Sequence, residues 1–147
     1  MIASRSSWRG AAVATLRVLV VVDAVALLFA GVVHLVGARI PLGSAVFDEP
    51  PILPAGIVES LAGLIFVAAA YAVFAGTTWA WTAALVAHLF AIAGFLVGIL
   101  ATLSGTTPFN SVYHRVMLAV FAAGLLLLLT PGMRAELARG LRRRSAG

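Results

Sequence analysis

Six ionisable side chains lie within or beside the long apolar runs of this sequence: Asp23, His34, Glu59, His88, His114 and Arg115. A charge inside hydrocarbon costs at least a few kcal/mol and is retained facing protein or a cavity, so these six are the first place to look for chemistry. Depth follows from the helical rise of 1.5 Å per residue, counted from the polar segments at 38–54 and 104–110. His34 falls near the outer end of the first run, and His114 with Arg115 near the outer start of the fourth. Glu59 lies roughly 10 Å below the outer end of the second. These four converge on one outward-facing cluster. Asp23 and His88 form a deeper, mid-membrane pair on the first and third runs. Asp23 and His34 are eleven residues apart, about three turns, so one face of the first helix links the two levels.

Several chemistries are open to such a set. Asp23 with His88, and Glu59 with His34 or Arg115, make buried hydrogen-bonded locks that hold a bundle together. His34 and His114, at similar depth, suit the two axial positions of a b-type haem. His34, Glu59 and His114 form a two-histidine, one-carboxylate metal set spread over three helices without a local signature. A quinone or proton-handling pocket asks for the least: a carboxylate and a histidine in a mostly apolar cleft. Ser60 beside Glu59 has no nucleophile elbow or triad order around it. The chain has no cysteine, which excludes disulfides, thiolate metal sites and a cysteine nucleophile.

The elements that must position these residues are membrane spans. Of the 147 residues 63% are hydrophobic and 10% charged, against about 25% charged in globular proteins, and so few charges cannot cover a soluble surface. A span needs about 20 apolar residues, so four spans with short connections use the whole chain as a single domain over 1–147. They are expected at about 11–37, 55–75, 79–103 and 111–130. The first is too long for the roughly 7 to 15 residue core of a signal peptide and is read as a retained span, with Arg17 snorkelling to the headgroups. Residues 38–54 hold Pro41, Gly43, Asp48, Glu49, Pro50, Pro51 and Pro54, the composition of a loop that breaks helices and presents carboxylates to water. Gly76-Thr77-Thr78 is a tight turn that makes the second and third helices antiparallel neighbours. Asn110 or Ser111 is available to cap the fourth helix, which stops at Pro131-Gly132.

Gly56, Glu59 and Gly63 share one face of the second helix. Ala87, Ala91, Gly94 and Gly98 form a small-residue stripe on the third, and both patterns read first as close helix packing. Beyond the spans, Met133, Leu137 and Leu141 recur beside Arg134, Arg139 and Arg142 to Arg144. The tail at 132–147 is either a short basic helix on an anionic leaflet or a positive tail that only sets orientation. The +5 net charge comes from arginine alone, and eight of the ten arginines flank the two chain ends. Only Arg39 and Arg115 border the outer loops, which places both termini in the cytoplasm, Trp79 and Trp81 at the inner interface and Tyr113 at the outer. The fold class is therefore all-α, a four-helix integral membrane bundle with both ends inside, and the basic charge reports topology, not nucleic-acid binding.

Three stretches resemble the DoxX-like family of small four-span membrane proteins. In the first helix Leu28-Phe29-Ala30-Gly31, followed by His34 and Gly37, is similar to the family's Leu-Phe, small-Gly, polar, Gly run, with His34 standing where lysine is common. In the second, Pro54, Glu59 and Gly63 resemble its proline, intramembrane glutamate and glycine. Asn110, Gly124 and the ending Leu-Leu-Thr-Pro-Gly at Gly132 resemble its fourth helix. The resemblance implies the four-span fold and an accessory or quinone-interacting role in a membrane redox system, beside a membrane-bound or peripheral oxidoreductase partner. In that role His34 and Glu59 form the polar end of an outward pocket, and Asp23 with His88 its floor. A proton or small-molecule carrier and a non-catalytic scaffold are the alternatives. Residence is expected in the cell membrane.

Overall fold

The computed structural model describes residues 3–103, 105 and 107–144, and within them the chain is mostly helical. Helix α1 (Ala3–Val36) ends at Gly37, whose φ of 75° is the left-handed turn that stops a helix. Helix α2 (Leu53–Ala75) starts with Pro54 in its first turn, where a missing N–H costs nothing, and ends on left-handed Gly76. Helices α3 (Ala80–Thr102) and α4 (Pro108–Leu128) follow, then a short α5 (Met133–Arg144). Four helices are long and apolar enough to cross a membrane, over Gly10–Val36, Leu53–Ala75, Ala80–Thr102 and Pro108–Leu128. The shortest of these segments, 21 residues, reaches about 32 Å, matching the hydrocarbon thickness of a bilayer.

The expected polar loop at 38–54 is, in large part, a β-hairpin. Strand β1 (Ala38–Leu42) pairs antiparallel with β2 (Ala45–Glu49), Ala38 opposite Glu49 and Arg39 opposite Asp48. Gly43, at φ 65°, opens the two-residue turn between them, as a tight hairpin requires. Pro41 is tolerated because each strand of a two-stranded ribbon is an edge. The cap of α4 also differs from expectation. Thr107, not Asn110 or Ser111, is the cap residue, its hydroxyl accepting the Asn110 N–H at 3.1 Å, and Pro108 opens the helix.

The four long helices pack in ring order, α1 on α2, α2 on α3, α3 on α4, and α4 back on α1, which leaves α1 and α3 facing across the diagonal. The α1–α2 seam is the closest, because glycines stand where side chains would collide. A Cβ on Gly31 would lie 2.8 Å from the Ser60 backbone nitrogen, one on Gly56 2.8 Å from that of Leu35, and one on Gly63 2.7 Å from the Leu28 Cγ. Buried Leu16, Val20, Leu27, Phe66, Phe121 and Leu128 fill the centre. An aromatic ladder runs through it from Tyr113 by Phe95, Phe121 and Phe66 to His88. The outward faces are as apolar as the core: Val22, Val25, Phe29, Leu64, Val67, Val97, Val112 and Leu126 are all exposed. So continuous an apolar belt is a liability in water and the normal finish of a surface that faces lipid.

The basic tail forms a helix through Arg144, lying across the end of the bundle opposite the hairpin against α1, α3 and α4. Its apolar side differs from the expected leaflet contact, since Met133 and Leu137 are buried on the bundle itself. Arg134 sits over the Trp81 ring at 5.2 Å, and the indole N–H of Trp81 donates to the Leu128 carbonyl at 3.1 Å. Arg17 lies over the Phe74 ring. The side chains of Arg5, Arg9, Arg139, Leu141 and Arg142 to Arg144 lie outside the described residues, as do Ser104 and residues 145–147.

Candidate functional site

The last turn of α1 brings His34 against α2. Its Nδ1 and the Glu59 Oε2 are 2.6 Å apart, a short hydrogen bond between two residues that are 1% and 3% exposed. Three features of the sequence make that approach possible. Glycines at 31, 56 and 63 draw the two backbones together on either side of the pair. The Ile52 N–H donates to the His34 carbonyl at 2.7 Å, which ties the start of α2 to the end of α1. Glu59 lies on the same face as Gly56 and Gly63, so its carboxyl points into the seam.

On the other side of the imidazole, Nε2 lies 3.6 Å from the Glu49 Oε1. Glu49 was expected in water and is instead buried, because strand alternation sends neighbours to opposite faces. Asp48 turns outward beside its cross-strand partner Arg39 at 3.8 Å, and Glu49 turns inward. Its Oε2 accepts the Thr107 hydroxyl at 2.7 Å, and Thr107 also caps α4. One carboxylate thus joins the hairpin, the end of α1 and the start of α4. The arrangement is a buried acid–histidine–acid chain, Glu59–His34–Glu49, in which Oε1 of each glutamate lacks a hydrogen-bond partner.

The expected four-residue cluster is therefore only partly assembled. His114 is buried, but its Nδ1 donates to the Asn110 carbonyl one turn back at 2.9 Å, and its ring lies against Gly98 and Phe95. Arg115, the next residue around the helix, is exposed on the outside of α4. Neither joins His34 and Glu59. Nor is there an open pocket where the sequence suggested one, because the hairpin covers the pair. A cavity of about 10 Å³, room for one water, sits at the α5 end among Trp8, Ala12, Thr130, Pro131, Met133 and Glu136.

Asp23 and His88 meet across the bundle diagonal, both fully enclosed, with Oδ2 and Nε2 separated by 3.8 Å. His88 Nδ1 donates to the Ala84 carbonyl at 2.7 Å, which leaves Nε2 to face the carboxyl. A Cβ on Gly124 would collide with that Nε2, so the glycine leaves the room on α4 that the ring occupies.

These positions bear on the metal and haem readings. His34, Glu59 and His114 are not gathered around one point, and among the described residues no group of three histidine or acidic side chains could hold a metal ion. An iron would also need an open ring nitrogen. Both nitrogens of His34 face carboxylates on opposite edges, and those of His114 face the Asn110 carbonyl and Gly98. The donor set does not fit a bis-histidine haem. Set against known proteins, the chain matches no protein-family model, no curated protein and no solved structure.

Proposed function

We propose that the chain is a DoxX-like integral membrane protein of the cell membrane, both termini cytoplasmic, that serves a quinone-linked redox system by handling protons at its hairpin end. The observation that carries this reading is His34 held between Glu59 and Glu49. An imidazole flanked by two carboxylates passes a proton along the line without moving a backbone atom. Oε1 of Glu59, which lacks a hydrogen-bond partner, supplies an acceptor for the hydroxyl of a quinol headgroup once the hairpin that covers the pair lifts. Oxidation of a quinol releases two protons and two electrons; the glutamates and His34 would take the protons, and a partner oxidoreductase the electrons. The chain's resemblance to DoxX-like proteins in helices α1, α2 and α4 supports the setting.

Calorimetric titration of decylubiquinol and decylmenaquinol into the full chain in lipid nanodiscs tests this reading. Binding is expected, weakened about tenfold or more by Glu59→Gln or His34→Gln, as the loss of a hydrogen bond to a charged partner implies. No binding by the wild type, or unchanged binding by both variants, would sink it.

The complete burial of the chain of side chains favours a second reading, a lock that only holds α1, α2 and the hairpin together. On that reading the same variants lower thermal stability and leave quinol titrations flat in every form of the protein.

A further inference from the structure

The α1–α2 seam keeps one antiparallel register along its length. Leu35 meets Gly56, Gly31 meets Ser60 and Leu28 meets Gly63. The same stagger, one residue down α1 for one up α2, sets Arg17 against Phe74, where the guanidinium lies over the ring at 5.5 Å. Phe74 is in the last turn of α2, which ends on Gly76. Arg17 therefore marks the level at which the seam leaves the apolar layer. From there to Val36, the end of α1, the helix rises about 30 Å, one hydrocarbon thickness. On the far side of Arg17, Trp8 and Ala12 lie beside Thr130, Met133 and Glu136 at the α5 end.

Arg17 stands at that level without an anion. It is half-buried, its Nε is enclosed with no hydrogen-bond partner, and among the described residues no carboxylate lies within ion-pair distance of it. Arg39 at the other end, by contrast, has Asp48 at 3.8 Å. The Phe74 ring and the partial negative charge of the α2 C-terminus attract a cation, but less than an anion would. Tyr71, one turn from Phe74, packs against Trp79 with ring centroids 6.5 Å apart, and all three rings are exposed, as aromatic side chains at headgroup depth are. Toward the middle of the bundle, Val21 and Val25 follow Arg17 at four-residue intervals and Val67 stands two turns from Phe74, each of them exposed. Charge, aromatic rim and apolar wall thus succeed one another along the seam in the order of a phospholipid's phosphate, glycerol and acyl chain.

We propose that Arg17 and the aromatic rim of the α1–α2 seam form a binding site for one anionic phospholipid of the leaflet at the α5 end. The guanidinium takes the phosphate through its fork of N–H donors. Tyr71 and Trp79 flank the glycerol region, and an acyl chain lies along Val21, Val25 and Val67. What Arg17 selects is the lipid's net negative charge, which a zwitterionic headgroup lacks. The site rests on the four helices crossing a bilayer and on nothing in the quinol reading, because Arg17 and His34 lie about 25 Å apart along α1.

The test is native mass spectrometry of the full chain in detergent micelles, titrated with phosphatidylglycerol or with phosphatidylcholine of the same acyl chains. The first phosphatidylglycerol should bind about fivefold more tightly than the first phosphatidylcholine, the contribution of one arginine at an anionic lipid surface. Arg17→Gln should weaken the first phosphatidylglycerol by that factor and leave phosphatidylcholine unchanged. Arg17→Met, an apolar chain of similar length that suits the seam, should do the same and covers a failure of the glutamine variant to fold. Arg134→Gln, which takes one charge from the same end of the bundle, should bind as the wild type does. Inorganic phosphate in large excess should not displace the lipid. Equal binding of the two lipids by the wild type, or a preference that survives in both Arg17 variants, would overturn the proposal and leave Arg17 as a complement to the α2 C-terminus. An equal loss in Arg134→Gln would overturn it in favour of diffuse charge, and displacement by phosphate alone in favour of a small-anion site. No arm uses quinol or a partner, so a failure of quinol binding is read separately.

Discussion

The His34–Glu59 contact is short and buried, and its energetics follow from that burial. Removing one member of a buried, hydrogen-bonded pair leaves the other without its counterpart, at a cost of about 3–5 kcal/mol, whereas replacing both with apolar groups costs far less. Glu59→Leu and His34→Leu should therefore each lower the unfolding midpoint in detergent strongly, and the double variant by much less than their sum. A coupling of about 1–3 kcal/mol in the cycle is expected, and additive effects would mean that the two side chains do not meet. The pair was legible in the sequence because both residues stand in apolar helices near one set of loops, where rise per residue fixes their depth. Glu49 was not. It sits in a segment whose prolines, glycine and adjacent acids read as solvent-facing loop, and only strand alternation separates Asp48, which stays in water, from Glu49, which does not. His114 and Arg115 stay apart from the pair for another reason: rotation about the helix sends one ring to Gly98 and the other side chain outward.

Among the elements, the spans were readable from hydropathy to within a few residues, since nothing else in the chain competes with runs of this length. The hairpin escaped because each strand has five residues, one of them proline in β1, too short for a period of two to stand out. It is nevertheless the piece that seals the site, and Thr107 is its catch. Thr107→Val removes both the hydroxyl donated to Glu49 and the cap of α4, and should cost about 1–2 kcal/mol. Faster hydrogen exchange across residues 38–49 and the first turn of α4, measured by mass spectrometry, is the expected sign. Unchanged exchange there would mean that Glu49 is held without it. The α1–α2 seam gives a second, independent element-level expectation. Gly31→Ala places a methyl 2.8 Å from the Ser60 nitrogen, and backbone cannot yield as a side chain can. The helices must part by a few tenths of an ångström, at about 1–3 kcal/mol, read as a lower melting temperature; a neutral result would mean that the seam is looser than the structure has it.

The whole molecule is asymmetric along its length: apolar belts surround it, one end is a sealed hairpin and the other a helix carrying arginines. Eight of ten arginines belong to the α5 end or the start of α1, against a single acid there, Glu136, whereas Asp48, Glu49 and Glu59 gather toward the hairpin. The arginine asymmetry is the basis of the proposed orientation, hairpin outside and both termini cytoplasmic, and that orientation decides the side from which His34 and Glu59 exchange protons. The chain suits the experiment that settles this, because it has no cysteine to remove. Ser44→Cys at the exposed hairpin turn and Ala138→Cys on the exposed side of α5 each introduce one thiol at the two extremes. In intact cells a membrane-impermeant maleimide should label the thiol at 44 at once and the thiol at 138 only after permeabilisation. The reverse pattern would invert the topology and with it the side from which His34 and Glu59 exchange protons. Labelling of both in intact cells would deny that the bundle separates them across a bilayer at all, and the exposed apolar belt would then need a protein partner to cover it.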